Sequence, residues 1–287
     1  MNTGSTPYLD FGLEPEHLTF REQFRRFVQE QLEPIAIEAE AKGEFPKEAY
    51  RKLSEHGYLG VNFPEEIGGG GGDLLMGCIF YEELTRASAG ISAGVFAHQH
   101  LATGPVLKFG TEAQKSEFAY PAARGERIGA FGLTEPDAGS DIRGIRSRAR
   151  EVGGNWVING SKLYITNGGI ADFIVVAART GDDRRSDSLT LFLVDTRNKG
   201  VNASELRKVG NHSSSTAFIS FEDVEIAPST QSYPDRGPNP RRQPRPRHRS
   251  GSVRMHPALR TRAKCIRPAN RQVPGDRIQG RRDGDTM

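Results

Sequence analysis

Through the first 127 positions apolar residues recur at helical intervals. Phe20, Phe24, Phe27 and Val28 follow one another at steps of four, three and one, which puts them on one helix face, and Leu32 and Ile35 continue that face past Pro34. The proline predicts a kink or break, because it has no N–H to donate and its ring crowds the preceding turn. A second helix is expected from Pro46 to His56, with Tyr50 and Leu53 on it and Gly57 as its stop. Gly68 to Gly72 predict a flexible loop. An amphipathic helix then carries Ile79, Phe80 and Leu84 together with the acidic pair Glu82 and Glu83. A further helical run covers about Ser92 to Phe109 and ends at Gly110, after which Thr111 and Gln114 have the spacing of a capping box.

After Arg127 the period shortens. Ile128 to Leu133, Ile145 to Val152, Asn155 to Ile158, Lys162 to Thr166, Phe173 to Ala178, Leu189 to Asp195 and Thr216 to Glu225 are short runs, rich in β-branched or aromatic residues and separated by turn formers. They predict seven strands. Asn159-Gly160 lies between two of them and predicts a hairpin, since both central positions of a type I′ turn need positive φ. No helix long enough for a crossover intervenes, so the sheet is expected to be antiparallel. The fold class is therefore α+β: an N-terminal α-helical domain over 1–127, an antiparallel β middle domain over 128–228, and a tail over 229–287. No repeat of about 20 to 50 residues is present.

Composition separates that tail from the rest. The chain has 287 residues and a net charge of +3. Ser229 to Met287 holds 14 Arg, one Lys, four Asp and no Glu, a net +11, which leaves −8 for the first 228 residues. Eight of the 17 prolines are there too, with Tyr233 as the one aromatic residue. Such a segment cannot bury enough apolar area to offset its ordering entropy, so it is expected to be disordered. The basic balance thus belongs to the tail and says little about partners of the acidic remainder. No apolar run is long enough for a membrane span. Cys78 and Cys265 are the only cysteines, too few for a disulfide framework or a cysteine-based zinc cluster. With no basic-then-apolar leader at the N-terminus, the expected compartment is the cytoplasm.

Two segments could carry chemistry. Phe131 to Asp141, FGLTEPDAGSD, runs from a strand into a loop with two hydroxyls and three carboxylates, where Gly139 permits close approach of a polar ligand. Tyr164 to Gly169, YITNGG, puts an aromatic ring and the Thr166 hydroxyl on one strand face before a glycine turn, where a flat ligand could stack. Taken singly, each has an ordinary reading as well: a polar turn between strands, and a core tyrosine at a sheet edge.

Taken together, FGLTEPDAGSD, then NWVINGSKLYITNGG, then SSSTAFISFEDVEI strongly resemble the acyl-CoA dehydrogenase family. EEIGGGGGDLLMGCIFYEELTRAS and KFGTEAQKSEFAYPAARGE in the helical half are similar too. The resemblance covers about Leu18 to Pro228. It implies a helical domain followed by a β-barrel-like middle domain, with FAD bound on the latter. By position, Phe131, Leu133 and Thr134 would contact the flavin, Thr134 beside its reactive edge. Gly139 and Ser140 would line the cofactor and the pantetheine of the thioester, with Ser140 the better substrate contact. Tyr164 takes the place of a family aromatic, often tryptophan, that packs on the isoalloxazine, and Thr166 would hydrogen-bond near it. His98 and Gln99 would lie on a helix near the acyl-chain cavity, with a solvated helix face an equal reading.

The implied reaction is α,β-dehydrogenation of an acyl-CoA thioester in fatty acid metabolism: a carboxylate removes the α-proton while hydride leaves the β-carbon for FAD. Electron-transfer flavoprotein or a similar acceptor would reoxidise the flavin, and the family is usually homotetrameric. Family members carry the base, a glutamate, in a C-terminal helical domain, whereas this chain has no Glu after Glu225. The resemblance stops near Pro228, and a reading-frame shift accounts for the change. With permitted codons, Asn270 to Met287 read one nucleotide later gives TGKFQVIEYKVAEMATR, where Phe, Ile, Val and Met fall at helical steps. The expectation is therefore a truncated, inactive form with no catalytic base. Two alternatives are a non-catalytic acyl-CoA- or partner-binding derivative, and an arginine-rich arm that binds nucleic acid through phosphates.

Overall fold

The computed structural model describes residues 12–181 and 189–227. The basic tail, Cys265 and the expected disorder of 229–287 lie outside the described residues.

The first helix, α1 (Pro15–Phe27), passes through a widened π-type turn at Val28–Leu32 into α2 (Glu33–Lys42). Pro34 falls in the first turn of α2, and the wide turn precedes it, where its ring would otherwise meet a carbonyl of the previous turn. The predicted break is thus an expansion of the helix. α3 (Lys47–Glu55) ends at Gly57, which takes φ +73°. The glycine run behaves otherwise than expected. The amides of Gly69, Gly70, Gly71 and Gly72 donate to the carbonyls of Pro64, Gly60, Phe63 and Val61, and a Cβ on Gly69 would sit 2.2 Å from the Phe63 carbonyl oxygen. These glycines are there for close packing.

α4 (Leu74–Ala87) is capped by Asp73, and α5 (Ala89–Phe96) by Ser88. A wide turn at Ala97–Thr103 leads into α6 (Gly104–Phe109), and the Thr111–Gln114 capping box forms at the next helix start. Phe24, Leu32, Leu53, Phe80, Leu84 and Val95 make the core of this half. The buried Glu83 carboxylate ties α4 to α1 through two hydrogen bonds from Arg25, at 2.7 and 2.9 Å. Among the described residues no helix is long and apolar enough to cross a membrane.

The last helical turn ends at Ala123 and the first strand begins at Gly129. Seven strands follow: β1 (Gly129–Gly132), β2 (Arg148–Val152), β3 (Asn155–Thr166), β4 (Phe173–Arg179), β5 (Leu189–Asp195), β6 (Val201–Glu205) and β7 (Thr216–Ile226). They form one sheet curled into a half-barrel. Most pairs are antiparallel, but β1 runs parallel to β4. The β2–β3 hairpin lies between them in the chain and serves as the crossover that a helix would otherwise supply.

The Asn159-Gly160 hairpin does not form. β3 runs through both positions, merging two expected strands, and the turn is at Gly153-Gly154, φ +61° and +86°, with Val152 opposite Asn155. Asn159 instead exchanges hydrogen bonds with Asp223 of β7 across a register shift. β6 was not expected; its sequence, VNASE, is mostly exposed and polar.

β4 is buried along its whole length and apolar on both faces from Phe173 to Ala178. Ile174, Val176 and Ala178 face the barrel core with Phe192, Ile219 and Phe221. Phe173 and Val175 face the helices and pack on Ala102, Val106, Phe118 and Ala122. This second layer joins sheet to helices, each large buried side chain contributing about 1.5 to 3 kcal/mol. His98, fully buried, spans the same seam: its Nε2 donates to the Ala122 carbonyl at 3.0 Å and its Nδ1 accepts from the Gly129 amide at 3.1 Å.

Candidate functional site

At the end of β1 the chain leaves the sheet at Leu133 and Thr134 and closes a tight turn, in which the Glu135 amide donates to the Ala138 carbonyl and the reverse. Gly139 and Ser140 lie beyond this turn and are exposed. Nothing stands within 4 Å of a Cβ built on Gly139, so no packing within the fold requires glycine there.

The second segment ends β3. A register shift between Lys162 and Ile165 breaks the pairing with β7, and Tyr164 occupies the interruption with φ +60° and 68% of its surface exposed. Both properties run against its chemistry. An aromatic side chain loses burial there, and positive φ costs a residue with a Cβ about 1 to 2 kcal/mol. Asn167, also at positive φ, is buried and donates from Nδ2 to the Gly94 and Gly129 carbonyls at 2.8 and 3.3 Å, fixing the turn against helix and sheet together.

The fold brings Leu133, Thr134, Tyr164 and Thr166 into one neighbourhood. The Leu163 amide donates to the Thr134 carbonyl at 2.9 Å, and Lys162 Nζ donates to the Leu133 carbonyl at 3.1 Å. Phe131 is half-buried and packs against the helix–sheet seam, so its ring is committed to the core. Gly139 and Ser140 stand farther out, at the open end of the loop.

Thr166 also lines a groove of about 1060 Å³ whose other walls are mostly helical. Ala93, Ala97, Tyr81, Phe96 and His100 are among them. Ala89, Ala93 and Ala97 recur every four residues, so one helical face is kept low and the groove is open above it. Tyr81, Phe96 and His100 pack as three mutual ring contacts, with centroids 4.9 to 5.6 Å apart. Burial pushes the Tyr81 phenol up and the His100 imidazole down, so both favour their neutral forms. Among the described residues, the one carboxylate in the groove lining is Asp73. It caps α4 by accepting from the Met76 amide, which holds its carboxyl below the usual range, with His17 contributing. The groove therefore suits an apolar, uncharged chain.

His98 and Gln99 are not on a solvated face. Both are buried: His98 in the seam, and Gln99 donating to the Leu59 and Tyr58 carbonyls while accepting from the Tyr81 hydroxyl. Their neighbours Ala97, His100 and Leu101 reach the groove instead. The Ala89-Ala93-Ala97 spacing was a usable sequence signal, hidden because small apolar residues read equally as helix core. Glu135 and Lys162, whose contact organises the strand ends, gave none beyond their places in the two motifs.

Residues 14–126 match the family model described as acyl-CoA dehydrogenase, N-terminal domain, and residues 130–224 match that described as acyl-CoA dehydrogenase, middle domain. A short-chain specific acyl-CoA dehydrogenase of Clostridium acetobutylicum is 37% identical over 219 residues, 76% of this chain and 58% of that protein. Butyryl-CoA dehydrogenase from Megasphaera elsdenii superposes with a TM-score of 0.73 at 35% identity, covering 78% of this chain and 60% of the other. A glutaryl-CoA dehydrogenase from Mycobacterium smegmatis, solved in complex with FADH2, gives 0.73 at 32% identity, covering 78% and 56%. The chain spans between half and three-fifths of the length of the curated relatives it matches.

Proposed function

The chain belongs to the acyl-CoA dehydrogenase family, and from that premise we propose that its two strand-end segments form one side of an FAD site and that the adjoining groove takes the acyl chain of a CoA thioester. The observation that carries this reading is Tyr164, an aromatic ring held out to solvent on strained backbone two residues before Thr166 of the groove lining. Its exposed face fits a flat heteroaromatic ring. Thr134, whose carbonyl accepts from the Leu163 amide, and Thr166, which lines the groove, stand on the same two strand ends, and the open space at Gly139 admits a ligand without displacing protein.

When bound, FAD supplies the hydride acceptor for α,β-dehydrogenation. The chain's own residues would bind and orient: Tyr164 would pack on the ring, Leu133 and Thr134 would offer backbone and hydroxyl, Ser140 would contact the pantetheine, and the groove would keep water from the acyl chain. A general base is a separate requirement. Asp73, already occupied as a helix cap, is unsuited to it, and the resemblance implies a glutamate of a C-terminal helical domain for that role, with no Glu after Glu225 in this chain to supply it. We read the Arg-rich segment after Pro228 as translated out of frame, which leaves this polypeptide, taken alone, with weak FAD retention and negligible turnover. Reoxidation by electron-transfer flavoprotein, a homotetrameric state and a cytoplasmic setting belong to the proposal for the complete enzyme.

Three measurements test this. The nucleotide sequence should encode helices in the shifted frame. Flavin absorbance of the purified chain and acyl-CoA-dependent dye reduction should both be low, and both should rise on restoring the frame. A yellow, active preparation of the unaltered chain would overturn the inactive reading. One observation favours a second reading, a non-catalytic acyl-CoA binder: the groove is built almost wholly from helices. Tight acyl-CoA binding by calorimetry without flavin, unchanged by adding FAD, would favour it.

A further inference from the structure

Lys162 is fully buried and Glu135 nearly so, yet neither lines the groove. Lys162 Nζ donates to Glu135 Oε1 at 2.7 Å and to the Leu133 carbonyl at 3.1 Å. The Glu135 carboxylate also accepts from the Arg146 amide at 2.6 Å and the Ser147 amide at 3.1 Å. One ion pair thus joins the exit of β1, the approach to β2, and β3 just before its bulge. The stem of Lys162 passes over Gly132, where a Cβ would come within 3.3 Å of its Cγ.

A buried ion pair is a poor way to gain stability, because desolvating two charges offsets much of their attraction and an apolar pair of similar volume commonly does as well. Its advantage is geometric. Each charged group demands several partners in fixed directions, and here, besides each other, those partners are backbone atoms of two separate segments, the exit of β1 and the approach to β2. Two residues past Lys162, β3 loses register and Tyr164 swings outward; one residue before Glu135, the Thr134 carbonyl receives the Leu163 amide.

We propose that the Glu135–Lys162 pair is a positioning device which fixes Leu133–Thr134 against the bulge that presents Tyr164, rather than a stabilising element of the sheet. What it positions rests on the flavin-side reading above; that it positions these two segments does not. Both residues are positioning residues, acting through Leu133, Thr134 and Tyr164.

The test uses the full chain with the double substitution Glu135→Leu and Lys162→Met, which removes the charges and keeps apolar volume. Lys162→Met alone, which leaves the carboxylate without its cation, serves as the misfolding control. The readouts are the thermal midpoint, amide exchange at Leu163 and at Val175 in the centre of the sheet, and quenching of FAD fluorescence on titration. The double variant should keep its midpoint within about 3 °C of the parent. Its Leu163 amide should exchange at least about tenfold faster while Val175 is unchanged. FAD affinity should fall by about tenfold or more. Unchanged Leu163 protection overturns the proposal, and so does a fall in midpoint with protection lost equally at both amides, which would make the pair structural. If the parent retains too little FAD to titrate, as the reading above expects of the unaltered chain, the FAD titration is read on the frame-restored chain, and the exchange pattern still decides the role of the pair.

Discussion

The helical region and the sheet differ in where their instructions lie along the chain. In α1 and α3 the residues that must meet, Phe20 with Phe24 or Tyr50 with Leu53, are one turn apart, and the signals are local too: a capping box starts α1 and Gly57 follows the end of α3. In the sheet the deciding partners are remote: Asn159 bonds Asp223, 64 positions away, and thereby becomes part of a continuous strand rather than a turn. An Asn-Gly pair is a good type I′ turn, but Gly153-Gly154 meets the same demand for two positive φ values without a Cβ at either position. Local pattern gives elements; competition among distant partners decides which turn signal is used.

The comparison breaks first if the helical half owes its stability to something other than its apolar stripe. Phe24 is fully buried, stacks with Phe20 and Phe27, and makes edge-on and tilted ring contacts with Tyr58 and Phe80. Phe24→Ala should cost about 3 to 5 kcal/mol in urea unfolding. Phe109, half exposed on α6, should cost much less when truncated. Equal losses at the two positions would mean that the stripe does not carry the core.

The next test addresses the seam. Burial pushes the His98 imidazole down to about 4, so the folded chain holds it neutral while the unfolded chain takes up a proton near 6.5. Stability is then fully present above pH 6.5 and falls as pH drops toward 4, by roughly 3 kcal/mol at the lower end. His98→Gln should flatten that part of the pH–stability curve relative to the parent. Parallel curves for the two proteins would show that His98 does not titrate across folding.

Glycine substitutions sharpen the difference between the two turn signals. At Gly160, φ is +146° and a Cβ would lie 2.4 Å from Ser147 Oγ and 2.6 Å from its Cα, whereas at Gly153 φ is +61° with nothing within 4 Å. Gly160→Ala should destabilise by about 2 to 3 kcal/mol, and Gly153→Ala by about 1. The reverse order would restore the hairpin at Asn159-Gly160. The same contrast marks what was legible. The stripe from Phe20 to Ile35, the Thr111–Gln114 cap and the two chemistry-bearing motifs could be read because each is contiguous or periodic. The Glu135–Lys162 pair, the burial of His98 and Gln99 and the parallel pairing of β1 with β4 could not, because each depends on residues 24 to 44 positions apart meeting in space. The groove lay between these cases: its alanine spacing was visible, but not whether that face was covered or open.

The smallest expected effect concerns Tyr164. Substitution by glycine relieves positive φ worth about 1 to 2 kcal/mol but adds freedom to the unfolded chain, so Tyr164→Gly should raise stability by roughly 0.5 to 1 kcal/mol. A gain from deleting an aromatic residue is unusual, because such residues ordinarily repay their place by burial; Tyr164, at 68% exposure, does not. A strained residue that the fold would be steadier without is held there by selection for something outside folding. Phe can replace the ring but not the phenol, so Tyr164→Phe should leave stability unchanged and preserve any stacking on a flat ligand, while Tyr164→Gly abolishes it. Should Tyr164→Gly instead unfold more readily than the parent, the side chain serves the sheet, and the exposed ring loses its standing as evidence for a bound cofactor.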